Sequence, residues 1–292
     1  MSGTWYAPAK INLWLRVFTG DESGYHPLDT LFCAIDLCDR LEISAADRLS
    51  LEVSGAELGP VASNLAYRAA HEYFLTIGAR PHGAIKLHKI IPAGAGLGGG
   101  SSDAAAVLRA LQQLHGHALP PEDVLALAAR LGSDVPFFLC GSPLARAGGR
   151  GELLEPLPAL PQRAVLILVP HFAIATRDAY QWLDESGTLA PAAEPAPRPE
   201  SWRDVEQHTV NSFEPVLFAR YPMLRELRDR LLRAGAAVAL VSGSGSALFG
   251  VFAEETTAAA AQHALSDLQT ARMFRARTLM TEPDWTETGI FH

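Results

Sequence analysis

Lysine is nearly missing from this chain. Of its 24 basic residues only Lys10, Lys86 and Lys89 are lysine, and the rest are arginine. A chain so biased towards the guanidinium keeps the compact ammonium at few places, which directs attention to Lys10. Cysteine is scarce as well: Cys33, Cys38 and Cys140 are an odd number without zinc-ligand spacing. They read as small buried apolar residues of a reducing compartment. No apolar run approaches the length of a membrane span, and the N-terminus has no basic-then-apolar leader pattern. An excess of positive charge is also absent. The net charge of −8 argues against bulk nucleic-acid binding, so any nucleotide has to be held locally. A soluble cytoplasmic protein with neither a nucleic-acid nor a membrane partner is expected. With 292 residues, 48% hydrophobic and 19% charged, the chain can bury a sizeable core in one large or two ordinary domains.

Glycine is concentrated where the chain is most informative. Residues 92–103, PAGAGLGGGSSD, hold five glycines. The preceding residues 85–91 alternate apolar and polar, as a strand does. Residues 101–114 carry apolar side chains at helical spacing after a Ser/Asp start. Strand, glycine loop and helix N-terminus together suit a phosphate: glycine lets the backbone approach closely, and a helix start offers unpaired N–H groups at the positive end of its dipole. A Walker A loop is excluded, because Gly100 is followed by Ser101 with no lysine. Gly94-x-Gly96-x-x-Gly99 matches the dinucleotide fingerprint, but the acids some 20 residues on, Glu122 and Asp123, open a helix instead of ending a strand. The alternating strand suits an antiparallel sheet with one buried face better than a Rossmann core. A protein-kinase glycine loop leads into a strand, not a helix. A ligand-free connector has no need of five entropically costly glycines.

Other stretches read ambiguously by themselves. Residues 8–17 alternate, with Ile11, Leu13, Leu15 and Val17 on one face and Lys10, Asn12, Trp14 and Arg16 on the other. Lys10 and Asn12 thus stand side by side, either as a solvated polar face or as part of a site. Tyr25-His26 follows a turn at 20–24 and could be a turn-flanking aromatic and a surface histidine. Asp134, before Val135-Pro136-Phe137-Phe138, could be a helix cap. Asp103 suits the dipole of its helix. Further strands are expected at 31–43, 49–53, 163–169 and 273–279. Helices are expected at 64–75 (capped by Asn64), 122–131, from Thr176 through Tyr180, and at 254–268. Ser242 to Ser246, between apolar runs 238–241 and 247–252, reads as a hairpin turn. Residues 187–200 have the Ala/Pro-rich composition of a mobile loop.

The glycine stretch resembles the phosphate-binding motif of the GHMP kinases, named for galactose, homoserine, mevalonate and phosphomevalonate. PAKINL at residues 8–13, DVPFF at 134–138 and SGSG at 242–245 resemble further motifs of that family, in the same order. The resemblance implies an α+β protein of two-domain GHMP kinase architecture. A ribosomal-protein-like N-terminal domain would span 1–158 and a ferredoxin-like α/β sandwich 159–292. It implies ATP and Mg2+ as cofactors, with the backbone of Pro92, Ala93, Gly94, Ala95, Gly96, Leu97, Gly98, Gly99, Gly100, Ser101 and Ser102 around the phosphates. Ser101 or Ser102 is the candidate to meet magnesium, and no residue is assigned as a dedicated metal ligand. It implies Lys10 beside the reacting hydroxyl, Asn12 on the substrate and Asp134 as catalytic base. In one branch, Gly-Tyr-His forms a cytosine site. Tyr25 then stacks on the base, the backbone or ring of His26 reads its edge, and Tyr180 covers the other side. The implied substrate is a small cytidine diphosphate-linked methylerythritol of isoprenoid precursor synthesis, phosphorylated by a monomer or weak homodimer. Two departures stand out: acids precede Ser23-Gly24, and Ser212 replaces the Asp of an Asn-Asp-Phe/Leu-Glu pattern at 211–214. A homoserine- or mevalonate-type kinase and a catalytically silent nucleotide- or RNA-binding module are the rival readings.

Overall fold

The computed structural model describes residues 3–20, 25–192 and 194–282; most of the turn at 20–24 lies outside them. Long apolar stretches on either side of that turn form β1 (Gly3–Val17) and β2 (Leu28–Ser44), which pair antiparallel along their whole length. β3 (Ser50–Ser54), β4 (Ala84–His88), β5 (Leu144–Gly148) and β6 (Leu153–Leu157) complete a six-stranded sheet in the order β3-β4-β2-β5-β6, with β1 on β2. β4 is antiparallel to β2 and buries one face, as its alternation predicts, while β3 runs parallel to it. Three helices, α1 (Leu65–Thr76), α2 (Gly99–Leu114) and α3 (Pro121–Leu131), share a core with this sheet; Trp5, Phe32, Leu41, Tyr73, Phe74 and Phe137 are among its large members.

The second sheet is four-stranded and wholly antiparallel. It consists of β7 (Ala164–Pro170), β8 (Val238–Val241), β9 (Leu248–Phe252) and β10 (Ala271–Arg277) in the order β10-β7-β9-β8. With α8 (Glu255–Ala264) between β9 and β10, the connectivity is the split βαβ pattern of ferredoxin-like sandwiches. Between β7 and β8 the sequence reading placed one helix. Among the described residues four are present: α4 (Thr176–Ser186), α5 (Trp202–His208), α6 (Glu214–Arg220) and α7 (Pro222–Arg233). The irregular stretch between α4 and α5 hydrogen-bonds to residues just past the end of β1 and in β2. Thr19 N donates to Ala190 O (2.9 Å), and the buried Ala196 donates its N–H to Asp29 Oδ2 (2.9 Å).

Three local expectations are corrected. Alternation gives β1 one polar face, yet Lys10, Asn12 and Trp14 are all buried. The register slips between Asn12 and Trp14, so Leu13 is an extra residue; Leu13 and Trp14, placed on opposite faces by strict alternation, join the same apolar cluster. α2 was expected to start at Ser101 and starts at Gly99, because Gly98 takes the left-handed conformation (φ 72°) that only glycine adopts at little cost. The strand at 85–91 ends at His88, and Lys89 turns inward. Its ammonium bonds Asp39, and Asp103 Oδ2 at 2.7 Å, so Asp103 is half of a buried ion pair and not a dipole complement. Asp39 also accepts from Ile90 N (2.5 Å) and Ile91 N (2.9 Å).

This cluster bolts the chain before the glycine loop to β2 and to the start of α2. Asp39→Ala leaves two backbone donors and a buried ammonium short of partners, which is expected to destabilise the protein by about 3 kcal/mol. Glu52→Ala, on the exposed face of β3, should cost no more than about 0.5 kcal/mol. Urea midpoints of the two variants give the comparison.

Candidate active site

Glycine geometry shapes the loop at 92–98. Gly94, Gly96 and Gly98 all have positive φ. At Gly96 (φ 80°) an added Cβ would lie 2.0 Å from the Ser242 carbonyl oxygen; at Gly98 it would lie 2.9 Å from Lys10 Cγ. The loop is therefore clamped between β1 and the Ser/Gly turn that joins β8 to β9. Ser242 Oγ donates to Gly96 O (2.8 Å), Ala247 N to Ala95 O (3.1 Å) and Lys10 N to Leu97 O (2.9 Å). Residues 211–214 hold that turn in place. Asn211 Nδ2 donates to Val241 O and Gly243 O (both 2.8 Å), and Glu214 accepts from Val241 N (2.9 Å). Ser212, out of pattern with the family, accepts from Val17 N through its hydroxyl (3.0 Å), as a carboxylate could.

Three cavities meet around this clamp. The first, about 520 Å³, is lined by residues 92–101, by Lys89 and Asp103, and by 58–60 and 63–65 at the start of α1. The first-turn N–H groups of a helix have no intrahelical partner, and among the described residues no side chain caps those of α2. Phosphate oxygens would satisfy them and sit at the positive end of the dipole. Ser102 is the one residue of 92–102 that does not line this cavity; it is fully buried, and its Oγ has no partner among the described residues.

The second cavity, about 260 Å³, shares Gly96, Gly98 and Thr176 with the first and holds Lys10, Asn12 and Asp134. Lys10 Nζ donates to Asn12 Oδ1 (2.7 Å) and to Gly96 O (2.9 Å), and lies 3.7 Å from Asp134 Oδ2. Asn12 Nδ2 donates to Thr30 Oγ1 (2.8 Å), which donates to Trp14 O (2.7 Å). Burial lowers the Lys10 pKa from the ordinary lysine value, and the neighbouring Asp134 carboxylate works against that fall. Asp134 is 30% exposed and caps no helix. A carboxylate open to the cavity, an ammonium on the loop carbonyl and free helix N–H groups form a set suited to phosphoryl transfer.

The third cavity, about 900 Å³, shares Leu28, Ser133, Arg150 and Tyr180 with the second. It brings together Tyr25, His26 and Tyr180, as expected of a base site. The rings of His26 and Tyr180 stack with centroids 5.5 Å apart and 28° between planes, and Tyr180 meets Phe213 edge-on. His26 Nδ1 hydrogen-bonds Phe18 O (2.8 Å), and its Nε2 lies 3.1 Å from Asp184 Oδ1. Tyr25 is 54% exposed, with the Arg150 guanidinium 3.6 Å from its ring centroid. The sequence assigns no site role to Ser133, Arg150, Arg177 or the 58–65 segment, and Thr176 enters it only as the start of the helix that carries Tyr180. The 58–65 segment leaves a signal, the Asn64 cap, which marks a second helix start at the cavity that holds the glycine loop.

These features define a class, the small-molecule kinases with a glycine-loop phosphate cradle. The family model "GHMP kinases N terminal domain" matches residues 64–142, and "GHMP kinases C terminal" matches 199–269. A 4-diphosphocytidyl-2-C-methyl-D-erythritol kinase of Pelotomaculum thermopropionicum is 38% identical over 98% of this chain and 97% of its own. That of Deinococcus radiodurans is 42% identical over 89% and 88%. A crystal structure of 4-(cytidine 5'-diphospho)-2C-methyl-D-erythritol kinase superposes with a TM-score of 0.80 at 38% identity, covering 94% of this chain and 98% of that one. A homoserine kinase from Cytophaga hutchinsonii, 21% identical with a TM-score of 0.70 over 96% and 95%, shares the fold. The chain belongs to the GHMP kinases and, among them, to the family of the 4-diphosphocytidyl-2-C-methyl-D-erythritol kinases.

Two tests follow from the loop and its bolt. Gly96→Ala drives a methyl into the Ser242 carbonyl, whereas the nearest atom to a methyl at Gly94 is 3.9 Å away. Both need positive φ, a cost of about 1 kcal/mol. ATP affinity measured by titration should collapse in Gly96→Ala and fall only modestly in Gly94→Ala. The second concerns Asp103, whose pKa burial pushes up to about 8; Lys89 pulls it down and the Asp39 charge raises it. Two carboxylates against one ammonium leave a net buried charge that one proton removes. The folded pKa lies above the unfolded value near 4, so this contribution to stability is full below about pH 4 and lost as pH rises through about 8. Asp103→Asn should flatten the fall of the thermal midpoint between those limits.

Proposed function

We propose that this chain transfers the γ-phosphoryl group of ATP to the 2-hydroxyl of 4-diphosphocytidyl-2-C-methyl-D-erythritol, giving the 2-phosphate and ADP, in the non-mevalonate route to isoprenoid precursors. The observation that carries the reading is the position of Lys10. Its ammonium touches the phosphate loop at Gly96, stands 3.7 Å from Asp134, and lies where the nucleotide-side cavity meets the way to an aromatic-lined one. ATP lies along residues 92–101, with its phosphates on the loop and the α2 N-terminus. The cytosine is taken between Tyr25 and the His26–Tyr180 stack. Both His26 ring nitrogens already face protein groups, so edge recognition falls to its main chain. Asp134 orients the acceptor hydroxyl and takes its proton, and Lys10 offsets charge on the transferring group. Asn12 holds Lys10 in place and borders the acceptor.

Magnesium is tested by the donor set. Among the described residues no three His, Cys, Asp or Glu side chains cluster as a metal cage. An ion that arrives on the nucleotide is held mainly by phosphate oxygens and water with one or two protein oxygens. The Ser101 hydroxyl, which lines the cavity beside the phosphate loop, is the group that would hold it. It would neutralise charge on the β- and γ-phosphates. The buried, partnerless Ser102 is set aside. A division of the chain into 1–158 and 159–292 follows the change from the first sheet to the second.

The reading is tested by ADP release from ATP and magnesium with the cytidyl acceptor, homoserine and mevalonate in parallel. Turnover only with the cytidyl acceptor is expected, and turnover only with homoserine or mevalonate would replace it. Because burial lowers the Lys10 pKa, the ammonium is lost at a pH below the ordinary lysine range, and activity should decline there on the alkaline side. Lys10→Arg, weaker throughout, should carry that decline to higher pH. An unmoved alkaline limb would detach it from Lys10.

A further inference from the structure

Tyr180 stands where the central and the outer cavity meet, and it lines both. Its ring is held from two directions. His26 stacks on it with centroids 5.5 Å apart, and Phe213 meets it at 4.9 Å with 85° between the planes. The helix beneath is anchored too. Ala179 is fully buried in the apolar cluster that α4 shares with the second sheet, and Thr176, one turn earlier, bonds the Ser244 hydroxyl (2.9 Å). A ring so fixed leaves one group to act, the phenolic hydroxyl. Among the described residues that hydroxyl forms no hydrogen bond. A half-buried tyrosine ordinarily places its O–H on a partner. Here the space beside it is cavity, shared with Asp134. Burial and then the Asp134 charge push the Tyr180 pKa up, so the group remains an O–H donor.

What would reach this hydroxyl follows from the two ends of the acceptor. With the base in the outer cavity and the reacting hydroxyl at Asp134, the middle of the molecule passes Tyr180. That middle is a ribose and a diphosphate. Sugar hydroxyls donate as well as accept, whereas ionised phosphate oxygens only accept and need donors wherever water is displaced. We infer that the Tyr180 hydroxyl donates a hydrogen bond to a phosphate oxygen of the acceptor. This rests on the acceptor proposed above and adds a second task to a residue whose ring belongs to the base site. Tyr180 is thereby a specificity residue: its ring and its hydroxyl recognise neighbouring parts of one nucleoside diphosphate. A contact made equally before and during phosphoryl transfer acts on KM and not on kcat.

Tyr180→Phe separates the two tasks, because it removes the hydroxyl and keeps the ring. Its circular dichroism and thermal midpoint should match wild type. Isothermal titration of the full chain with cytidine and cytidine diphosphate gives the comparison, with Tyr180→Ala as the variant that loses ring and hydroxyl together. In wild type the diphosphate should bind more tightly than cytidine. Tyr180→Phe should cut that gain roughly tenfold while leaving cytidine itself unweakened. Tyr180→Ala should weaken cytidine as well. With the cytidyl acceptor, Tyr180→Phe should raise KM by a similar factor and change kcat little. An unchanged diphosphate gain in Tyr180→Phe overturns the contact. So does an equal loss for cytidine and cytidine diphosphate, which would put the hydroxyl on the nucleoside. Either result leaves the proposed reaction standing where wild type turns over the cytidyl acceptor. Wild type that neither binds cytidine diphosphate nor turns over that acceptor overturns the acceptor assignment, and this inference with it.

Discussion

A buried ammonium has to be satisfied on every side, and the site of this protein is arranged around one. Lys10 takes Asn12 from its own strand, the Gly96 carbonyl from the phosphate loop, and the nearby Asp134 carboxylate from the segment after α3. With the ion itself nearly inaccessible, loss of any of these partners leaves charge short of compensation in a poorly hydrated place. The same atoms that keep the charge tolerable fix the loop, the strand and the carboxylate relative to one another. Lys10, Asp134 and the loop therefore stand assembled without any ligand, and in the proposed reaction that positioning is where much of the rate is won.

The loop's other supports come from far along the chain. Ser242 and Ala247 clamp it from the second sheet, and Asn211, Ser212 and Glu214 tie that turn back to β8 and β1. A glycine at 96 is what lets the two backbones come so close. Three cavities lie around this assembly. One suits phosphates, one holds the ammonium and the carboxylate, and one offers aromatic faces. Neighbouring cavities are joined by residues that line both.

Much of this was legible in the residues, and the remainder was hidden for physical reasons. The glycine loop, the Asn64 cap, the helix behind the loop and the 242–246 hairpin announce themselves through local backbone chemistry, which neighbours in sequence express. The fate of Lys89 does not: alternation puts it on the buried face with Ile85 and Leu87, where a lysine looks out of place, and the partners that make its burial tolerable, Asp39 and Asp103, are 50 and 14 residues away. Trp14 fails for a related reason, since a single extra residue at Leu13 undoes a period of two. α5 and α7 left traces that are easily passed over, a Ser201–Asp204 capping box and Pro222 at a helix start, but the short α5 is held by burial of Trp202 and Val205 rather than by propensity. Arg150 carries no motif; its place beside Tyr25 exists only once β5 and β6 have paired.

The claim that Lys10 and Asp134 act as one unit is tested most directly by a double-mutant cycle on kcat with Lys10→Met, Asp134→Asn and the pair. If each side chain works only in the other's presence, the double variant should be no slower than the slower single variant. Losses that multiply would mean the two contribute independently, and the ammonium would not be the joint around which this site is built.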